Sequence, residues 1–211
     1  VPFLPVDRLH AILNNQPLPA EDYGTALFAD ISGFTALAER LAAELGPERG
    51  AEELNAQVNY TFVGLIDAVD RYHGSVLRFS GDGLTAWFTG ENHALRAATA
   101  SLAMQAVMAA LMTALPDLRL KIGLGTGLAR RFLPGDPAIG VYDVLAGPAI
   151  TRMTQAEKRA GPAQVVLSRQ TGEEIGGLLA WEELAGGFAR LQPTIFAPTP
   201  PGAERWPSIR W

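Results

Sequence analysis

Two aspartates stand where chemistry on phosphate could be done. Asp30 closes the apolar run 25–29, and Phe34, Leu37, Leu41 and Leu45 follow it at helical spacing. Ser32 and Gly33 therefore sit at the start of a helix, where backbone amides without intrahelical partners attract anions. A carboxylate facing a divalent cation beside such amides suits a nucleoside triphosphate with its metal. Taken singly, Asp30 is as well explained as a helix cap. Asp82 is the second. It lies in the sequence Ser80, Gly81, Asp82, Gly83, between the strand-like runs 76–79 and 84–88, which reads as a hairpin whose Asp-Gly turn is a common structural device. Together the two point further. Magnesium prefers carboxylate and phosphate oxygens, and two carboxylates on neighbouring strand ends can hold two such ions near one triphosphate.

The elements that must position them read as strand, two helices, hairpin, helix, strand, loop, strand, helix, strand, helix and tail. That order predicts an α+β domain with a mainly antiparallel sheet covered by helices on one face. Leu54, Val58, Phe62, Leu65, Ile66, Val69 and Tyr72 form the apolar stripe of one long helix. Residues 97–115 carry no formal charge, long enough to ask whether they span a membrane. Thr99, Ser101, Gln105 and Thr113 interrupt them, and Leu95, Leu102, Val107 and Leu111 suit a helix packed on a sheet, so no membrane span is expected. Residues 1–22 read as an apolar, partly helical segment around Leu9, Ile12 and Leu13 with a Pro-containing linker. Residues 23–185 read as the main folded domain, which holds both aspartates. Residues 186–211, with Pro193, Pro198, Pro200, Pro201, Trp206, Pro207 and Trp211, read as an extended tail.

With 211 residues and 48% hydrophobic composition the chain can bury one good core. Zero cysteines exclude disulfides and thiolate metal sites and are compatible with a cytoplasmic location. The three histidines, His10, His73 and His93, show no ligand spacing. A net charge of −5 without a basic run argues against capture of nucleic acid or anionic lipid. No signal peptide pattern is visible.

The order of the segments FADISGFT, LRFSGDGLTAWF, LKIGLGTG, YDVLAGPAI and QVVLS resembles the class III adenylyl/guanylyl cyclase catalytic domain over roughly residues 23 to 175. Within that class it looks most like the first, metal-bearing half of soluble-type adenylyl cyclases. The resemblance implies a ferredoxin-like core and a two-half active site that forms cyclic AMP and pyrophosphate from ATP with two Mg2+ or Mn2+ ions. It implies that Asp30 and Asp82 bridge both ions and that the Ile31 carbonyl binds one. It further implies that Gly33, Phe34 and Thr35 hold the terminal phosphates and that Lys121 is a basic residue near the triphosphate. A second cyclase half, in the same chain or as a dimer, would complete the site.

Departures from the family pattern carry information too. Arg78 occupies the place of a base-selecting lysine or glutamate; in soluble-type relatives that lysine lies on the degenerate side of the interface, where bicarbonate can act. A guanidinium there suits a planar anion held by two parallel hydrogen bonds. Thr151 and Gln155 stand where active homodimers carry the Asn and Arg that stabilise the transition state. Arg152 lies one position from the Asn slot, and Asp143 resembles the base-recognition aspartate one residue too far from Gly147. Arg78, Asp143 and Arg152 are thus candidate anion or base contacts. The alternative function is a catalytically degenerate cyclase-like module for regulation or dimerisation. A diguanylate-cyclase type of site is disfavoured, since the hairpin lacks a Gly-Gly-acid-acid-Phe signature.

Overall fold

Strand alternation sorts the residues of one long central strand between two cores. Leu27, Ala29 and Ile31 enter the main hydrophobic cluster, and Ala26 and Phe28 join a smaller one on the other side of the sheet. By the same alternation Asp30 shares the face of Ala26 and Phe28. The computed structural model describes residues 4–112, 114–136 and 140–193. In chain order its elements are α1 (Val6–Leu13), β1 (Glu21–Ser32), α2 (Phe34–Leu45), α3 (Pro47–Arg71), β2 (Ser75–Ser80), β3 (Gly83–Thr89), α4 (His93–Leu111), β4 (Arg119–Phe132), β5 (Gly135–Asp136), β6 (Gly140–Val141), β7 (Val144–Ala146), α5 (Pro148–Glu157), β8 (Val165–Ser168), α6 (Arg169–Ile175), β9 (Trp181–Leu184) and β10 (Phe188–Leu191).

The main sheet runs β2-β3-β1-β4-β8-β10-β9, with β7 paired separately to the end of β4. β4 and β8 are parallel, and the other pairs are antiparallel. An α+β fold on a mostly antiparallel sheet is therefore present, as the element order predicts. α3 delivers Leu54, Phe62, Leu65, Ile66 and Val69 to the main core, and Tyr72, just past its end, packs there too. α4 is apolar and long enough, by composition and length alone, to cross a membrane. It packs nonetheless against α3, α6, β1, β3 and β4. The Thr99 hydroxyl donates to the Leu95 carbonyl and that of Ser101 to Ala97, both at 2.8 Å within the helix, while the Gln105 amide donates to the Leu120 carbonyl of β4 at 3.0 Å.

The expectation of helices on one face needs correction: α5 covers the other. Ala149 and Met153 of α5 pack with Ala26, Leu77, Trp87 and Ala129. Glycine on β4 makes this approach feasible. A Cβ on Gly125 would lie 2.2 Å from the Met153 amide nitrogen, and one on Gly123 would lie 2.4 Å from that of Glu157. No side chain fits there.

The chain ends depart from the sequence reading as well. Phe188–Leu191, expected in an extended tail, is strand β10, paired with β8 and β9. Ala189 and Leu191 reach the main core, while Phe188 packs with Ala156 and Val166, and two or three buried side chains suffice to recruit a short strand. Pro198, Pro200, Pro201, Trp206, Pro207 and Trp211 lie outside the described residues. At the other end α1 forms as expected, yet Ile12 and Leu13 are 61% and 58% exposed, so apolar packing by these two is not what seats it.

Candidate active site

The β1–β3 ladder ends where the two aspartates are. Asp30 pairs with Gly83, and the Ile31 amide donates to the Asp82 carbonyl at 3.1 Å. The two-residue turn of Gly81 and Asp82, with Gly81 at φ 62°, presents Asp82 as an exposed residue beside the end of β1. The structure thus brings the backbones of Asp30 and Asp82 together, with Ile31 between them.

Directly after β1, Gly33 takes φ 103° and begins α2. Only glycine suits this point, because the conformation is left-handed and a Cβ would lie 2.1 Å from the Asp117 carbonyl oxygen. No side chain caps α2. The amides around Phe34 and Thr35 are therefore available to an anion, in the place where the resemblance sets the terminal phosphates.

Lys121 faces Asp30 across the β1–β4 ladder, and its Nζ lies 3.0 Å from Asp30 Oδ2 and 2.6 Å from Glu157 Oε1. The hydrogen bond to Glu157, and then the one to Asp30, hold the ammonium above the ordinary lysine range against a smaller opposing effect of burial. Glu157 is a residue the sequence reading missed. Its signal was a charged residue following Ile150, Met153 and Thr154 at helical spacing on a largely apolar face. The two aspartate carboxylates and the Ile31 carbonyl lie at one strand end and are oxygen donors of the kind a divalent ion prefers. The Lys121 ammonium already stands as a cation beside one of those carboxylates. Among the described residues no group of three or more His, Cys, Asp and Glu side chains could hold a metal by itself.

A cleft of about 270 Å³ opens between β2, β7 and α5, lined in part by Arg78, Thr85, Asp143, Met153, Thr154 and Glu157. Arg78 is exposed beyond a register break between Val76 and Arg78, and it donates a long bond of 3.4 Å to the Ser80 hydroxyl. Asp143 lines the same cleft but is committed elsewhere. Its Oδ1 lies 2.6 Å from Arg131 Nε and its Oδ2 3.0 Å from Arg8 Nε, and its side chain is only 5% exposed. Arg131 also holds Asp7, whose Oδ1 accepts from the Ser75 hydroxyl at 2.7 Å. Arg131 is raised above its ordinary pKa by the two carboxylates despite burial, which is the largest single influence and opposes them.

Arg152 requires correction as a companion of Arg78. Its Nη1 donates to the Thr126 carbonyl at 2.7 Å, packed over Gly127, and it is absent from the lining of the cleft. The reason is helical phase: Met153 and Thr154 face the cleft and Arg152 points along β4. Thr151 and Gln155 are exposed on α5, the Thr151 hydroxyl donating to the Gly147 carbonyl at 3.3 Å.

No family model matches the chain. Rat adenylate cyclase type 10 is 31% identical over 151 residues, covering 69% of this chain and 9% of the relative. The human protein of that name is 31% identical over 158 residues, covering 71% of this chain and 10% of the relative. The chain thus spans about a tenth of the length of the curated relatives it matches. The adenylyl cyclase CyaB from P. aeruginosa superposes with a TM-score of 0.72 at 19% identity, covering 85% of this chain and 98% of that structure. The guanylate cyclase domain of RhGC from Catenaria anguillulae, solved with GTP, gives 0.70 at 18% identity, covering 83% and 99%. The fold agrees with the solved domains and the sequence with the curated relatives, on a chain whose aspartates meet at a strand end beside an open helix N-terminus. It belongs to the class III adenylyl/guanylyl cyclase catalytic domains.

Proposed function

We propose that this chain supplies the metal-bearing half of a two-half adenylyl cyclase site, converting ATP to cyclic AMP and pyrophosphate in the cytoplasm. The observation that carries the reading is the juncture of Asp30 with the Asp82 turn beside the uncapped start of α2. Asp30, Asp82 and the Ile31 carbonyl would hold two Mg2+ or Mn2+ ions. When bound, these ions activate the ribose 3′-hydroxyl for attack on the α-phosphorus and neutralise charge on the departing pyrophosphate. The amides around Gly33, Phe34 and Thr35 bind the terminal phosphates, and Lys121 steadies the triphosphate by its charge. No side-chain nucleophile is needed. ATP is preferred over GTP on the strength of the curated relatives, which are named adenylate cyclases.

The test is calorimetry of ATP binding with Mn2+, in the intact chain and in Asp30→Ala and Asp82→Ala. Loss of metal-dependent affinity in both variants is expected; unchanged affinity in both would sink the reading. A second reading, a cyclase-like module that binds nucleotide or a small anion without turnover, is favoured by Thr151 and Gln155 at the positions of the transition-state groups. Supplying a complementary half distinguishes the two, since only the first yields cyclic AMP that depends on Asp30.

A further inference from the structure

Lys121 is shared by two carboxylates that cannot both serve the same end. Asp30 reaches it from β1 at 3.0 Å and Glu157 from the last turn of α5 at 2.6 Å. A divalent ion on Asp30 would repel the ammonium from that carboxylate at short range. Lys121 must then give up one of its two partners. An ammonium only 30% exposed that loses its partner in such a site is costly unless another acceptor remains. Glu157 is that acceptor. Its side chain is 12% exposed, and its backbone is fixed on β4 by the close contact with Gly123. It is not itself part of a three-carboxylate metal cluster among the described residues.

We propose that Glu157 is a positioning residue for Lys121: it retains the ammonium when a metal ion takes Asp30, turning a counter-ion of the vacant carboxylate into a contact for the incoming triphosphate. The inference rests on the reading of Asp30 as a metal ligand. In the metal-free protein Lys121 pairs with Asp30, and Glu157 weakens that hold by offering a nearer alternative. Glu157→Gln keeps the shape and one acceptor oxygen but removes the charge. The remaining pull on Lys121 then comes mainly from Asp30.

The experiment is a titration of Mn2+ alone into the intact chain, followed by electron paramagnetic resonance of free Mn2+, in a double-mutant cycle of Glu157→Gln and Lys121→Met. Glu157→Gln should weaken Mn2+ binding by roughly threefold to tenfold, as for loss of one partly buried charge pair. Lys121→Met should tighten it. In the Lys121→Met background Glu157→Gln should have a much smaller effect, because the lysine through which it acts is gone. An equal or larger loss in that background would show that Glu157 acts by its own field or by folding, and would overturn the proposal. If Asp30→Ala abolishes Mn2+ binding while Glu157→Gln leaves it unchanged, this inference alone fails. If Asp30→Ala changes nothing, the metal reading fails and takes the inference with it.

Discussion

Arg131 of β4 and Asp7 of α1 form a buried ion pair, Nη1 2.5 Å from Oδ2, with side chains only 7% and 8% exposed. The same guanidinium holds Asp143, so one cation joins the N-terminal helix to the cleft between β2, β7 and α5. Removing it leaves two carboxylates short of their shared charge. Arg131→Ala is expected to destabilise the domain by about 3–5 kcal/mol, the cost typical of breaking a buried pair from one side. Urea unfolding would check it, and a loss below about 1 kcal/mol would contradict the burial of this network.

Turnover by the chain alone should be poor. Thr151 brings no amide to the place the resemblance gives to a transition-state Asn, Gln155 brings no guanidinium to the place of the Arg, and both lie exposed on α5. Loss of one electrostatic donor costs on the order of a hundredfold or more in rate. Cyclic AMP formation by the purified chain should rise at least about that much when a complementary half is added. Robust activity without it, abolished by Asp30→Ala, would refute the two-half requirement.

Arg78 has space around it and Arg152 does not. In a protein containing both halves, stimulation by bicarbonate at fixed pH should vanish in Arg78→Ala, with Mn2+ affinity retained. Arg152→Ala should leave the stimulation intact, since that guanidinium is bonded to the Thr126 carbonyl. Undiminished stimulation in Arg78→Ala would exclude it as the anion contact.

His93 makes stability depend on pH. Its Nδ1 meets the Thr25 hydroxyl at 2.9 Å, and Thr25 continues through Thr126 and Thr171 to Ser168 as a buried hydroxyl chain. Burial pushes the imidazole below 6.5, with Arg96 adding to the shift and Glu174 and Asp22 opposing it. Tyr23 stacks edge-on against His93 and is itself pushed up to about 12, chiefly by its hydrogen bond to Glu174. A depressed histidine takes up its proton more readily in the unfolded chain. This contribution to stability is therefore full above the unfolded value near 6.5 and declines as pH falls from there toward the lowered native value. Thermal melts between about pH 7.5 and pH 5.5 should show a shallower dependence in His93→Gln than in the parent.

Periodicity made β1, the α3 stripe and the hairpin legible, because each repeats its pattern over several residues. Asp30 and Asp82 could be singled out because each interrupts such a pattern at a strand end. Glu157, Asp7 and Arg131 could not be paired in advance: their partners lie 36 residues away for Lys121 and Glu157 and 124 for Asp7 and Arg131, and distance along the chain carries no pairing information. Phe188 to Leu191 failed as a strand prediction because four residues beside two glycines give too short an alternation to outweigh a proline-rich continuation. Arg152 failed through a one-residue offset, which on a helix is a rotation of about 100°.

The two glycines of β4 set a mechanical limit on the molecule. With Gly123 and Gly125 pressed against the backbone of α5, helix and strand have no lubricating layer of side chains between them, so neither can slide along the other without collision. Lys121 and Glu157 must travel as parts of one plate. Any widening of the cleft then falls to its other wall, β2, whose pairing with β3 is irregular between Val76 and Arg78.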